Sequence, residues 1–248
     1  MVRLYGRRNL LRQLTDSLMA GHTVLLYGPM GSGKSALLDA LARRMKKQHR
    51  PCGFCCRARS LPDITEALLA AYPVVQREGR TQPQLRGDLV HAVEARPGVL
   101  LLDHLGDLGS QFKGYLRTMG ETGLWMLLAA DAEATRDHDR LRAMHLSFRE
   151  TEAPRLPSRN LHQILNETLK AGPPPFNLTN TDRSALIRLA RGRPGWAIWA
   201  GRMLREIHFW RHGRVLLGSV HLGIMMQILN RYLTATPETR CKDHNTPN

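Results

Sequence analysis

A short apolar run, Thr23 to Tyr27 (TVLLY), passes without a break into Gly28-Pro29-Met30-Gly31-Ser32-Gly33-Lys34-Ser35. A helical pattern follows from Ser35 to Lys47, with Leu37, Leu38, Leu41 and Met45 on one face. Strand, glycine loop and helix in that order, with the spacing GxxxxGK[ST], leave few folds open. The glycines let the backbone wrap closely round a phosphate and aim its N–H groups inward. The helix that opens near Gly33 adds its positive end to the same point. Lys34 is placed to reach the β- and γ-phosphates, and the Ser35 hydroxyl to ligate magnesium. The expected ligands are therefore ATP and Mg²⁺, contacted by every residue from Gly28 to Ser35.

Such a loop needs an acidic group for the metal. Pro97-Gly98-Val99-Leu100-Leu101-Leu102-Asp103 supplies one, an apolar strand that ends in Asp103. The spacing from Lys34 leaves room for one strand and two or three helices. Those are read as a strand over 52–57 and helices over 62–71 and 82–95. Beyond Asp103 follow a short helix (112–119), a strand (124–129), a polar helix (137–144), a strand (146–149) and an amphipathic helix (158–170). Strands that are apolar on both faces and alternate with helices predict a parallel sheet covered on both sides.

The run Gly172-Pro173-Pro174-Pro175 breaks this alternation, because proline cannot continue a helix and stacked prolines stiffen a linker. After it strand signals vanish, and 181–191, 194–210 and 215–233 read as helices. The expected organisation is an α/β nucleotide domain (1–171), a linker (172–178), a small all-helical domain (179–240) and a polar tail (241–248).

Composition narrows the partners. The chain has 248 residues and a formal charge of +15, from 36 Lys and Arg against 21 Asp and Glu. Residues 179–248 hold eleven basic and four acidic side chains, about twice the excess per residue of the rest. That excess is what a polyanion partner selects, although an Arg-rich, Lys-poor chain also follows from GC-rich coding. The recurrent arginines Arg183, Arg188 and Arg191, and Arg202, Arg205, Arg211 and Arg214, could line a groove for a phosphate backbone. No helix-turn-helix is evident, so the expectation is sequence-nonspecific contact with double-stranded DNA. No apolar run of about 18 residues predicts a membrane span. Four cysteines and a polar N-terminus point to a reducing compartment, the cytoplasm.

The two motifs together resemble the AAA+ ATPases, in particular the origin-recognition/Cdc6-like, transposition-regulator and STAND regulatory groups. The segment Leu4-Tyr5-Gly6-Arg7-Arg8-Asn9-Leu10-Leu11 is similar to the one these groups place before the first helix, beside the adenine. The resemblance implies a nucleotide contact for Arg7. Leu124–Asp131 resembles the sensor 1 strand, with Ala129, Ala130 and Asp131 at its end where Asn or Thr is usual. Leu156–Leu165 resembles the helix before the lid. Leu189-Ala190-Arg191-Gly192-Arg193-Pro194-Gly195-Trp196-Ala197 resembles the lid's sensor 2 or GxP turn, which makes Arg193 the sensor 2 candidate. The fold implied is an AAA+ P-loop NTPase domain followed by a helical lid.

One departure bears on catalysis. Most AAA+ ATPases follow the magnesium Asp with a Glu that polarises the attacking water; here His104 follows Asp103. His104 can orient water or accept a proton, or it marks slow hydrolysis. Asp107 and Asp131 are further candidates. The resemblance also implies an arginine from a neighbouring subunit: Arg142 or Arg140 first, with Arg136 and Arg149 in the same region. The function implied is an ATPase whose nucleotide state controls ring or filament assembly and DNA binding, with a further protein partner. The alternatives are a STAND-like switch or a hydrolysis-poor adaptor acting on a protein. Cys52, Cys55 and Cys56 have part of a zinc spacing but lack a second ligand pair, so core packing is expected of them. Trp196 and Trp199 share a helical face and read as core. Val215–Leu229 reads as a lid helix or as one that docks on a partner or a membrane surface.

Overall fold

The computed structural model describes residues 4–104 except 59, 74 and 76, then 110–131 and 148–233. Asp107, the helix expected at 137–144, and Arg136, Arg140 and Arg142 lie outside the described residues. So does the tail. By packing, the chain groups into two units. The first comprises residues 1–29 and 34–153, the second residues 30–33 and 154–248.

The first unit is built on a five-stranded parallel sheet: β1 (Thr23–Gly28), β2 (Cys52–Cys55), β3 (Val99–Leu102), β4 (Trp125–Asp131) and β5 (Phe148–Glu152). The strand order is β2-β3-β4-β1-β5. Among the described residues five helices accompany it: α1 (Arg8–Met19), α2 (Lys34–Lys47), α3 (Leu61–Ala71), α4 (Gln82–Ala95) and α5 (Ser110–Glu121). Successive strand residues face opposite sides, so each strand feeds two cores. Leu25, Leu100, Leu102, Met126 and Leu128 pack on one side with α3, α4 and α5. Val24, Leu26, Val99, Leu101 and Leu127 pack on the other with α1 and α2. All four residues of β3 are buried, which is why its sequence is an unbroken apolar run.

The edge strands differ from this. β5 alternates the half-buried Phe148 and Thr151 with the exposed Arg149, Glu150 and Glu152. It is described from Phe148 and runs on to Glu152, three residues past the expected end at 149, with Thr23 of β1 paired with Phe148 and Tyr27 with Glu152; residues 146 and 147 lie outside the described residues. Helix α1 carries its apolar stripe Leu10, Leu14 and Leu18 into the core, a face the sequence reading did not assign to a helix. Helix α3 begins with a capping box: the Ser60 N–H donates to Asp63 Oδ2 at 2.9 Å, and the Asp63 N–H donates to Ser60 Oγ at 3.4 Å.

The second unit contains α6 (Ser158–Lys170), α7 (Asn180–Ala190), α8 (Pro194–Met203) and α9 (Leu217–Leu233). Helix α8 packs on the other three. Contact with α6 is close: a Cβ on Gly201 would lie 2.8 Å from Thr168 Cγ2. Helix α6, assigned by the sequence to the segment before the linker, thus packs with the helices after it.

The single helix expected over 194–210 is instead interrupted, and the unit is not purely helical. Helix α8 stops at Met203, a 3₁₀ turn spans Ile207–Phe209, and β6 (Trp210–Arg211) pairs antiparallel with β7 (Arg214–Val215). The two residues between them, His212 and Gly213, have φ of 49° and 72°. Positive φ at both central positions is what a tight two-residue hairpin requires, and Gly213 supplies one of them without strain. Among the described residues no helix is long and apolar enough to cross a membrane.

Replacing Leu101, wholly buried in the four-residue β3, by Ala removes side-chain contacts that a parallel sheet cannot rebuild. Urea denaturation is expected to show a loss of about 3 kcal/mol. A loss under about 1 kcal/mol would mean that the sheet is not packed on both faces.

Candidate functional site

Register brings the sequence-selected residues to one edge of the sheet. Leu25 of β1 pairs with Leu128 of β4, which pairs with Leu102 of β3. All three strands run the same way, so Gly28 and Asp103 both emerge at the carboxyl edge, with β4 between their strands. Open parallel sheets bind ligands outside this edge. Asp131 ends β4 opposite Gly28.

Lys34 is the first residue of α2, and its side chain is buried. Its ammonium curls back on the loop, donating to the Gly28 carbonyl at 2.6 Å and the Pro29 carbonyl at 3.3 Å. A cation at a helix N-terminus opposes the helix dipole, and burial adds to that cost. An anion at this point relieves both, and phosphate is the anion that such a loop suits. Gly31 and Gly33 take φ of 81° and 93°, a turn that other residues adopt with strain. The loop residues therefore fit a nucleotide phosphate. Ser35 follows Lys34 in the first turn of α2 and is exposed.

Loop residues Met30 to Gly33 belong by packing to the second unit. The Gly195 N–H donates to the Gly31 carbonyl at 2.8 Å. Helix α7 ends with Arg191 and Gly192 at φ 47° and 78°, which reverses the chain into Arg193, Pro194 and Gly195. The indole of Trp196 lies against Gly31: a Cβ there would be 2.7 Å from Trp196 Cδ1. The Arg193 guanidinium stacks over the Trp196 ring, 4.6 Å from its centroid. The expected sensor 2 arginine is thus engaged with an aromatic face. Trp196, read from sequence as a core residue, is buried as expected and also wedges the glycine loop. A glycine at both 31 and 195 was the signal for this close approach.

Asp103 is buried. Its backbone continues the β2–β3 ladder, with the Asp103 N–H donating to the Cys55 carbonyl at 2.9 Å and the Ala58 N–H to the Asp103 carbonyl at 3.1 Å. The carboxylate is thereby fixed, and its Oδ1 accepts from the His104 N–H at 3.0 Å. A carboxylate oxygen is the hard donor that magnesium prefers. His104 adopts the left-handed conformation, φ 49°. Its ring folds back so that Nε2 is 3.7 Å from Asp103 Oδ2, a contact that becomes an ion pair on protonation. The imidazole is partly exposed and stands where the general-base carboxylate was expected.

Arg7 precedes α1 and is almost wholly buried, and this desolvation lowers its pKa from the usual arginine value. Arg149, the one described residue of the four finger candidates, is exposed on β5. Cys52 and Cys55 are free thiols on β2, whereas Cys56, for which core packing was also expected, is disulfide-bonded. Burial pushes Cys52 up to about 12 and Cys55 up to about 11, which suits packing and not metal binding. Among the described residues no group of His, Cys, Asp and Glu could hold a metal ion by itself.

The sequence matches the AAA ATPase domain family over residues 3–175. No curated protein matches it. Among solved structures, the chain is similar to a Walker-type ATPase of Pyrococcus abyssi, PABY2304, with 17% identity and a TM-score of 0.61, covering 94% of this chain and 77% of that one. It is similar to the ORC1 protein of Aeropyrum pernix, solved in complex with DNA, with 16% identity and a TM-score of 0.58, covering 95% and 69%. It is also similar to Cdc6p of Pyrobaculum aerophilum, with 18% identity and a TM-score of 0.57, covering 81% of this chain and 61% of Cdc6p. The chain thus spans less than two thirds of that relative.

The wedge predicts a non-additive pair. Gly31→Ala combines positive φ with a clash on Trp196, so its expected cost is about 2–3 kcal/mol in chemical denaturation. In a Trp196→Ala background the clash is gone, and the cost of Gly31→Ala should fall by about 1 kcal/mol. Strict additivity would show that the loop and the indole do not touch.

Proposed function

The chain belongs to the AAA ATPase domain family, and from that premise we propose that it is an ATP- and magnesium-dependent switch that binds double-stranded DNA without sequence preference. The observation that carries the DNA part is the charge of the second unit. Residues 154–233 hold twelve Arg and Lys against three Asp and Glu. Eight of those arginines are exposed: Arg155, Arg159, Arg188, Arg191, Arg202, Arg205, Arg211 and Arg214. Exposed cations unmatched by acids gain from displacing counterions along a phosphate backbone, whatever the base sequence. Similarity to a protein solved with DNA supports the same reading.

In this reading the loop from Gly28 to Gly33 wraps the phosphates with its N–H groups. Lys34 leaves the Gly28 and Pro29 carbonyls for the β- and γ-phosphate oxygens. Ser35 and Asp103 hold the magnesium, which neutralises phosphate charge when bound. Arg7 and Arg193 contact the nucleotide. The loop's bond to Gly195 and its packing on Trp196 carry phosphate occupancy to α8. Nucleotide binding then favours assembly of subunits into a ring or filament, a neighbour's arginine (Arg142 or Arg140) joining the site, and further protein partners reading the assembled state.

His104 makes hydrolysis slow. Its ring is turned onto Asp103, with Nε2 3.7 Å from Oδ2, and it brings no carboxylate charge toward the attacking water. This one feature favours a second reading, a hydrolysis-poor adaptor in which ATP binding alone is the signal. Turnover of the unmodified chain with and without DNA separates the two. Under the switch reading, slow ATP turnover is stimulated by DNA. Under the adaptor reading, turnover stays near zero with or without DNA while ATP binding is intact, and His104→Glu raises it at least tenfold.

Two measurements test the proposal directly. Lys34→Ala should weaken binding of a fluorescent ATP analogue at least tenfold while leaving thermal unfolding cooperative. For DNA, the plot of log affinity against log salt should be steep, and Arg188→Ala with Arg191→Ala should reduce its slope by about two. DNA affinity that is flat in salt would refute the DNA reading and leave the nucleotide site standing.

A further inference from the structure

Helix α9 is apolar nearly all round, yet among the described residues it is packed through a narrow seam. Val220 and Ile224 are wholly buried, and Gly223 brings the helix against Met203 and Phe209. On another face Leu222, Met225, Met226 and Leu229 are exposed, Leu222 to 64%. Their spacing is i, i+3, i+4 and i+7, one continuous stripe along the helix. Ile207, in the 3₁₀ turn that touches α9, is 68% exposed. Single exposed apolar residues are ordinary, but an ordered stripe on a rigid helix marks an interaction face. Two methionines within it add a surface that adapts to its occupant.

Charge identifies the occupant. Between Ile207 and Leu233 there is no Asp or Glu, whereas Arg211, Arg214 and Arg231 and the histidines His208, His212 and His221 lie there. Arg211 and Arg214 are exposed on the hairpin that leads into α9. A second copy would bring like charges together around the stripe. A membrane surface is a poorer fit, because interfacial helices carry a basic polar face. Among the described side chains the other exposed positions of α9 are Leu217, Gly218, His221, Gln227 and Asn230, with no Lys or Arg. An amphipathic helix with an acidic polar face meets both features, laying its apolar side on the stripe and its carboxylates toward the arginines.

We infer that the Leu222–Met225–Met226–Leu229 face of α9 is a docking site for an acidic amphipathic helix of a partner protein. This stands apart from the nucleotide site and does not depend on it. The probe is a fluorescein-labelled 18-residue peptide with Leu at helical i, i+3, i+4 and i+7 positions and Glu elsewhere. It is titrated with the full chain at physiological salt. A scrambled peptide of the same composition and a version with Lys for Glu serve as controls.

The expected result is binding at least tenfold tighter for the acidic helical peptide than for either control. It should fall at least tenfold in Leu222→Gln/Met226→Gln, whose thermal unfolding and DNA affinity are unchanged because the substituted residues are exposed and uncharged. Equal binding of the scrambled peptide, or no effect of the double substitution, overturns the proposal. So does stripe-dependent flotation with anionic phosphatidylglycerol vesicles, or stripe-dependent dimerisation in sedimentation, without stripe-dependent peptide binding.

Discussion

The site rests on a spacing constraint within the sheet. Parallel strands in the order β2-β3-β4-β1-β5 keep β1 and β3 one strand apart, about 10 Å by ordinary inter-strand distances. That gap separates the loop after Gly28 from the carboxylate of Asp103, and a phosphate with its metal needs a space of this kind. The gap survives only because β4 is buried on both faces and cannot slip. A one-residue shift would send Leu127 and Leu128 each to the wrong core. Leucine packing above and below the sheet therefore fixes polar chemistry at its edge.

Nucleotide chemistry also depends on what holds the loop from outside. Glycine at 31 lets the loop turn with positive φ, and glycine at 195 lets another backbone come within hydrogen-bonding distance of it. Trp196 then fills the volume beside Gly31. The Gly31 carbonyl is satisfied by the Gly195 N–H. Lys34 occupies the loop's own carbonyls in the meantime. Its placement against the helix dipole is one that a neighbouring anion would relieve.

Much of this was legible in the sequence, for identifiable reasons. Strands buried on both faces are unbroken apolar runs, so β1, β3 and β4 could be placed within a residue or two. The glycine loop and Asp103 are local motifs whose chemistry dictates their residue types. What escaped was set by tertiary contact. Helix α1 hid behind a segment read only for its resemblance. The hairpin at Trp210–Val215 fell in the gap between two expected helices, because its strands are two residues long and only His212-Gly213 signals the turn. The partnership of Trp196 with Gly31 joins residues 165 positions apart, and no periodicity reports such a pair. The left-handed turn at His104 was likewise invisible, although histidine tolerates that region better than most side chains.

The two edges of the sheet carry a further consequence. An edge strand presents unpaired N–H and C=O groups on which another chain can grow. At one edge β2 has only four residues; at the other, β5 places Arg149, Glu150 and Glu152 where a long apolar edge would be adhesive. A chain whose inner strands are as apolar as VLLL exposes those runs whenever it is unfolded. Brevity on one side and mixed charge on the other keep completed sheets from zipping together. The same sequence can therefore be sticky in its interior and remain dispersed once its borders have closed.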